Sequence, residues 1–310
     1  MPTALPASPV VVLAGGTGGA KLARGLLDAA GADLVVIANT GDDVEAYGAH
    51  VSPDPDLVTF WLADRIDARG WGLRDDTFGV MDGLRELGEN VWFNLGDRDL
   101  ALCLRRARRL AEGARLTVAI DEARAALGVP ARVLPATDDP VRTHVQAAGR
   151  WWPFQEFMIR HKAQGPVEGV EFRGAAGAAP APEVLHALAT ARAIVIGPSN
   201  PVISIGPMLA VPGLREALVG APAPVVAVSP LVGGEVLKGP TAAFLEHAGI
   251  PLTADGIAEL YAGLIDGLVA DERAEGVPTL ETDVRMDGEE GRRRLARETL
   301  AFAGALDQSG

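Results

Sequence analysis

The sequence holds one cysteine. Cys103 stands in the apolar company of "LALCLRRA", so no disulfide framework is available, and a reducing, cytoplasmic compartment is expected. The residue itself reads as part of a buried helix. Positive charge is also scarce: 28 Lys and Arg face 41 Asp and Glu, a net charge of −13. That balance repels a polyanion over most of the surface and argues against a nucleic-acid partner, which would want a basic face. It leaves room for a nucleotide, whose phosphates can be held locally by backbone N–H groups and a divalent cation. The opening "MPTALPASP" lacks a basic region, and no targeting segment is expected. The longest uncharged run, residues 193–212, has nominal membrane length but carries four prolines and two glycines. It reads as strand, loop and helix start, with no membrane span. Internal repeats and low-complexity tails are missing as well.

What is there is an ordinary globular balance, 48% hydrophobic and 22% charged over 310 residues, enough for one large domain or two medium ones. Short buried strands near 9–14 and 34–38 alternate with amphipathic helices near 19–30, 56–67 and 79–88 and with the helix opened by "GDRDLALCLRRARRLAEG". Alternation of this kind predicts parallel βα units, a Rossmann-like α/β sheet with helices on both faces. From 131 the pattern loosens into "ARVLPATDDP", the aromatic "RWWPFQEFMIRHK" and a Gly/Ala/Pro-rich stretch. It resumes at 192 with "ARAIVIG", a loop, a helix near 206–218 and the strand "PVVAVS". The division expected is a Rossmann-like part over 1–130, a smaller inserted or appended α+β segment over 131–190 that could serve as lid or oligomer contact, and the rest of the core over 191–310.

Several motifs fall where such a sheet binds ligands. "AGGTGGAK" (14–21) follows a strand and opens a helix, a context in which glycines let backbone approach phosphate while the helix N-terminus supplies positive potential. It is neither a P-loop, since Lys21 is not followed by Ser or Thr, nor a good GxGxxG dinucleotide turn. "NTGDD" (39–43) ends the second strand, and Asp54 and Asp56 follow in "SPDPD". Mg²⁺ asks for one or two carboxylates besides water and substrate phosphate; the competing reading of Asp54 and Asp56 is a helix cap. In "LGDRDL" (95–100), Asp97 can cap its helix with Arg98 solvated, or Arg98 can face an anionic ligand. "GPSNPVISIGP" (197–207) and "SPLVGGEVLKGPT" (229–241) place polar loops after two further strands. Trp151, Trp152, Phe154 and Phe157 read as core or lid aromatics. His50, His144 and His161 are isolated in sequence, with no zinc site or hydrolase triad around them.

Taken together, "LAGGTGGAKLARGL", "ANTGDDVEAYGAHVSPDPD", "GWGLRDDTF", "LGDRDLALCL", "FQEF", "GPSNPVISIGPML" and "SPLVGG…LKGPT" occur in the order and nearly the wording of the 2-phospho-L-lactate transferase family, the CofD and FbiA proteins of coenzyme F420 synthesis, which the chain resembles over nearly its whole length. One departure is Leu57, where members commonly carry Thr after the D-x-D. The resemblance implies a Mg²⁺-dependent transfer of a phospho-organic-acid group from a guanosine diphospho donor to the ribityl hydroxyl of the deazaflavin Fo, with GMP leaving. It implies that Gly15, Gly16, Gly18, Gly19, Lys21, Asn39, Thr40, Ser199, Asn200 and Lys238 hold the nucleotide. The metal would fall to Asp42, Asp43, Asp54 and Asp56. Asp43 or Asp54 would orient or deprotonate the hydroxyl, and Arg98 would face the deazaflavin or the transferred phosphate. A homodimer is expected. The nearer rival is the related gluconeogenesis-factor family of nucleotide-sugar-binding regulators, whose acidic loop typically runs from DD into glycine and serine where this chain has "GDDVEAYG". A nicotinamide oxidoreductase is the more distant one.

Overall fold

A computed structural model describes residues 5–236 and 239–308. Strand β1 (Val10–Ala14) leads into helix α1 (Gly16–Ala30) and returns as β2 (Leu34–Ala38). A hairpin follows, β3 (Val44–Ala46) and β4 (Ala49–Val51), then α2 (Pro53–Leu62), α3 (Gly79–Glu86), α4 (Asp97–Ala111), α5 (Leu116–Ala126) and β5 (Arg132–Pro135). The next stretch makes an antiparallel sheet of its own: β6 (Arg142–Ala147), β7 (Arg150–Pro153) and, after α6 (Phe154–Ile159), β8 (Gly169–Arg173). Helix α7 (Pro182–Thr190) brings the chain back to β9 (Ala193–Ile196). Two short helices, α8 (Gly206–Leu209) and α9 (Leu214–Val219), precede β10 (Val225–Val228) and the small hairpin β11 (Leu231–Val232) and β12 (Glu235–Val236). The chain closes with α10 (Thr241–His247), α11 (Ala254–Leu260), β13 (Gly267–Ala270), β14 (Thr279–Glu281) and α12 (Gly288–Asp307).

Seven strands form one parallel sheet in the order β14-β13-β10-β9-β1-β2-β5. Its central strands are covered on both faces, which is why they read as unbroken apolar runs. Val11, Leu13, Val35 and Ile37 point into one core with α7, α9 and α11. Val10, Val12, Leu34 and Val36 point into the other with α1, α2, α5 and α12. From β1 the chain moves outward through β2 to β5, then returns to lay β9 on the opposite side of β1. The sheet therefore reverses direction between β1 and β9, the place where doubly wound sheets open a crevice beyond the strand ends.

Two expectations shift in detail, and a third narrows to one of its readings. β5 lies beyond residue 130 and belongs to the main sheet, so the separate sheet begins at β6. The helix expected over 206–218 is broken: a wide turn over Pro201–Ile205 leads into α8, and Pro212 followed by Gly213, at φ +92°, forces a fresh start for α9. Phe154 and Phe157 are core, packed with Val145, Ile203 and Phe244, while Trp152 stacks on His161 at its edge.

Candidate active site at the sheet reversal

The loops leaving β1 and β9 are locked together. Gly15 donates its N–H to Ser199 Oγ (3.1 Å). A Cβ on Gly18 would lie 2.1 Å from the carbonyl oxygen of Pro198, and one on Gly19 would lie 2.4 Å from Ser199 Oγ. On Gly15 it would meet Ser204 and Asp54 at under 3 Å. These three glycines admit protein, the β9 loop and α2, against the first turn of α1. Gly16 is different: at φ +62°, with nothing within 4 Å of a Cβ, it is the glycine whose freedom turns outward. Gly18, expected to face phosphate, is a packing glycine. Ser199 is buried and serves the same junction. Lys21 lies further along α1, its Nζ 5.9 Å from the Trp61 ring centroid on α2.

The carboxylates gather beside this junction. Asn39, fully buried at the end of β2, donates through Nδ2 to Asp42 (3.0 Å) and Asp54 (2.9 Å) and accepts the Gly41 N–H. Thr40, also buried, turns the loop by accepting the Asp43 N–H through its carbonyl. Asp54 is not a cap of its own helix. Pro53 occupies the first helical position, and the Asp54 carboxylate reaches across to accept the N–H of Gly16 (2.6 Å) at the positive end of α1. Asp43 accepts through Oδ2 from Ser52 Oγ (2.8 Å) and faces His50 Nε2 (3.0 Å). Its Oδ1 is buried without a hydrogen-bond partner among the described residues. Thr143 of β6, whose N–H donates to the Gly41 carbonyl, carries a second unpartnered buried oxygen beside this loop.

Burial dominates the electrostatics. Desolvation lifts Asp54 to about 6 against its hydrogen bonds from Gly16 and Asn39. It lifts Asp42 well above the usual carboxylate range, with the Asp54 charge adding to the effect. Among the described residues neither has a basic partner. A buried, unpaired carboxylate is costly unless protonated or joined by a cation, and the bare Oδ1 of Asp43 adds an acceptor oxygen to the group. Asp42, Asp43 and Asp54 offer the oxygen ligands a hard divalent cation takes, but their ligand atoms do not all lie within 4.8 Å of one another, so one or two of them, with water and substrate phosphate, would complete its shell.

Asp56 has other company. Both its oxygens accept from the guanidinium of Arg106 on α4, Oδ2 at 3.0 Å. Asp56, Asp99 and Cys103 do bring ligand atoms within 4.8 Å of one another, but Arg106 already occupies the carboxylate that a cation would need. Burial, then the Asp56 charge, holds the Cys103 thiol protonated. Asp56 was expected among the metal carboxylates and is instead the partner of an arginine.

Arg98 is not brought to this cluster. Its exposed side chain lines a cavity of about 220 Å³ with Asp64, Arg65, Leu73, Arg74 and Asp75, beyond the C-terminal end of α2. Asp97 does not cap α4 either. Asp97 accepts from Thr77 Oγ1 and from the N–H groups of Gly79 and Val80, capping α3, whereas Asp76 accepts the N–H groups of Arg98 and Asp99 and caps α4. Asn200 caps the turn at 201–205 through the N–H groups of Val202 and Ile203 and donates to Thr241 Oγ1 (3.2 Å). Lys238 lies outside the described residues.

Sequence reasoning passed over His50, Ser52, Arg106 and Asp99. Arg106 did leave a signal: Asp99, Cys103 and Arg106 recur at i, i+4 and i+7, so a charge sits in the buried stripe of α4.

Fold and site together define a doubly wound α/β protein with a buried acidic cluster at the N-terminus of α1, at its sheet reversal. The chain belongs to the family described as 2-phospho-L-lactate transferase CofD, whose sequence profile matches residues 10–301. It is 42% identical to a phosphoenolpyruvate transferase of Kitasatospora aureofaciens over 95% of this chain and 97% of that protein. To a 2-phospho-L-lactate transferase of Methanosarcina mazei it is 39% identical, over 85% and 87%. Among solved structures, a UPF0052-family protein of Bacillus halodurans superposes with a TM-score of 0.61 at 18% identity, covering 94% of this chain and 99% of that one. That likeness speaks for the fold.

Proposed function

We propose that the chain is a Mg²⁺-dependent transferase of coenzyme F420 synthesis. It moves a phosphoenolpyruvyl, 2-phospholactyl or 3-phosphoglyceryl group from a guanosine diphospho donor to the ribityl hydroxyl of Fo and releases GMP. The observation that carries this reading is the buried Oδ1 of Asp43, without a hydrogen-bond partner among the described residues, beside two carboxylates that have no basic partner among those residues, next to the N-terminus of α1. One or two of Asp42, Asp43 and Asp54 would hold the metal, which neutralises diphosphate charge when bound. The diphosphate would approach on the open side of Gly16. In the transfer, the acceptor oxygen forms a bond to phosphorus, the phosphorus–oxygen bond to GMP breaks, and the hydroxyl proton passes to a carboxylate. Asp43 or Asp54, whichever the cation leaves free, would be the carboxylate that accepts it. Most of the acceleration in such a displacement comes from positioning and charge neutralisation.

Phosphoenolpyruvyl is the first choice of group, because a relative at 42% identity is named for it. No helix among the described residues is long and apolar enough to cross a membrane, in keeping with a cytoplasmic enzyme, and we take the working state to be a homodimer. The test is to incubate the protein with Fo, Mg²⁺ and each activated donor and weigh the product. A mass matching the phosphoenolpyruvyl adduct, with GMP appearing in equal amount, is expected. Absence of product with every donor, alongside tight binding of a nucleotide sugar, would overturn the reading in favour of a regulatory protein of the gluconeogenesis-factor kind.

A further inference from the structure

The β3–β4 hairpin is built so that one face presents two donors to a single carboxylate oxygen. Its turn, Tyr47 and Gly48, has both φ values positive (51° and 75°), the geometry that fixes register in a two-residue hairpin. The register pairs Glu45 with His50. Side chains alternate along a strand, so Ala49 and Val51 enter the small core beneath the hairpin, while His50 and Ser52 share the other face. There they converge on Asp43 Oδ2, at 3.0 and 2.8 Å.

His50 is fixed from behind as well. Its Nδ1 lies 3.4 Å from Glu45 Oε1. Glu45 is held in turn by Arg142 of β6 (2.7 Å), and the His50 carbonyl accepts from Arg106 (3.0 Å). Only 13% of the His50 side chain is exposed. The whole arrangement restrains one oxygen of Asp43 and leaves the other, Oδ1, buried with no hydrogen-bond partner among the described residues.

We propose that His50 is a positioning residue for the reaction. With Ser52 it clamps Asp43 Oδ2, so that Oδ1 is aimed at the cation or the acceptor hydroxyl, and the Arg142–Glu45 pair ties this clamp to the antiparallel sheet of β6. The inference rests on the transferase reading of the same site. Outer partners that orient a ligating carboxylate commonly change metal affinity by about 10- to 100-fold when removed.

The test is calorimetric titration of the full-length protein with Mn²⁺, paired with thermal unfolding of the metal-free protein, for the parent, His50→Ala, His50→Gln and Ser52→Ala. Expected are a loss of at least about tenfold in Mn²⁺ affinity for His50→Ala, recovery to within about threefold of the parent for His50→Gln, whose amide can donate near the position of Nε2, and a loss of about three- to tenfold for Ser52→Ala. If His50→Ala fails to fold, the Gln and Ser52 variants decide. Parent-like affinity in folded His50→Ala, or in Ser52→Ala where the former does not fold, overturns the clamp alone. So does a Gln variant that loses thermal stability and affinity together. A parent that takes up no Mn²⁺ overturns the metal reading and the clamp with it.

Discussion

Asp54 and Asp56 stand two residues apart in the first turn of α2, both buried, and their carboxylates meet opposite conditions. Asp56 turns toward α4 and finds Arg106, itself 2% exposed, so its charge is neutralised inside the protein. Asp54 turns toward the sheet reversal and finds Asn39, the Gly16 N–H and the neighbouring acids Asp42 and Asp43, with no described basic group in reach. One helix turn thus carries a completed ion pair on one side and an uncompensated acidic site on the other. A completed pair serves the fold. An uncompensated one invites a cation from outside.

The comparison breaks most sharply if Asp54, its neighbour Asp43 and Asp56 are each exchanged for an amide. Asp54→Asn and Asp43→Asn are each expected to lower turnover by at least about 10³-fold, about 4 kcal/mol of barrier, while circular dichroism and melting stay close to the parent; EDTA should reproduce the loss and Mg²⁺ reverse it. Asp56→Asn should do the reverse, lowering the melting temperature while the folded fraction keeps its turnover. If either Asp43→Asn or Asp54→Asn works at near-normal rate with Mg²⁺ present, that residue belongs with Asp56 as a structural group.

Arg106→Ala tests the other side. Leaving Asp56 buried without its partner costs about 3–5 kcal/mol, readable by urea unfolding. Replacing both members with apolar residues, Arg106→Met with Asp56→Leu, should recover most of that, since a well-packed apolar pair can stand in for a buried ion pair. Failure of the double variant to recover would mean that Arg106 acts chiefly through its bond to the His50 carbonyl.

A smaller effect is expected with pH. Desolvation first, then the Asp56 charge, raises Asp99 to about 7, with Arg106 acting the other way. An unfolded aspartate titrates near about 3.9, so the folded chain binds this proton more tightly. The contribution is complete below about pH 4 and is lost as pH rises through about 7. Discounted for solvent screening at its partly exposed side, this leaves about 1–2 kcal/mol. In Asp99→Asn the stability lost between pH 4 and 8 should shrink by that amount. An unchanged slope would place the titration elsewhere, on Asp42 or Asp54, which shift in the same direction.

The sheet was legible in the sequence because strands covered on both faces, such as Val10–Ala14 and Leu34–Ala38, must be apolar at every position, whatever they pack against. The candidate site was legible as a set of loops, since strand order brings the ends of β1, β2 and β9 to one edge. What each residue does there was not. Gly18 needs to be glycine because Pro198, 180 positions later in the chain, puts a carbonyl against it, and no local pattern carries that information. Asp97 and Asp76 exchange caps between two helices for a similar reason: a Cβ at Gly96 would lie 2.2 Å from Asp76 Oδ2, so that approach is set in three dimensions. Arg106 is one of four arginines in "LRRARRL", and its partner sits 50 residues earlier.

Arg98 offers the smallest effect, because it shares α4 with Arg106 but none of its surroundings. Eight residues separate them, about 12 Å along the helix. Arg98 is exposed at the helix start, where backbone N–H groups and Asp76 complete the cap without its side chain. Arg98→Ala is therefore expected to change stability by no more than about 0.5 kcal/mol. Arg98 still lines a cavity with Arg65 and Arg74, and a planar, permanently charged donor set can contact the end of a flat, polar acceptor that extends away from the acidic cluster. On that basis the KM for Fo should rise by at most about tenfold while kcat and the KM for the guanosine donor hold, the pattern of a group that binds substrate and transition state alike. A fall in kcat with both KM values steady would instead bring Arg98 to the phosphoryl group in flight, and would require α4 to move toward the sheet reversal during turnover. Kinetics identical to the parent would leave Arg98 a solvated surface cation.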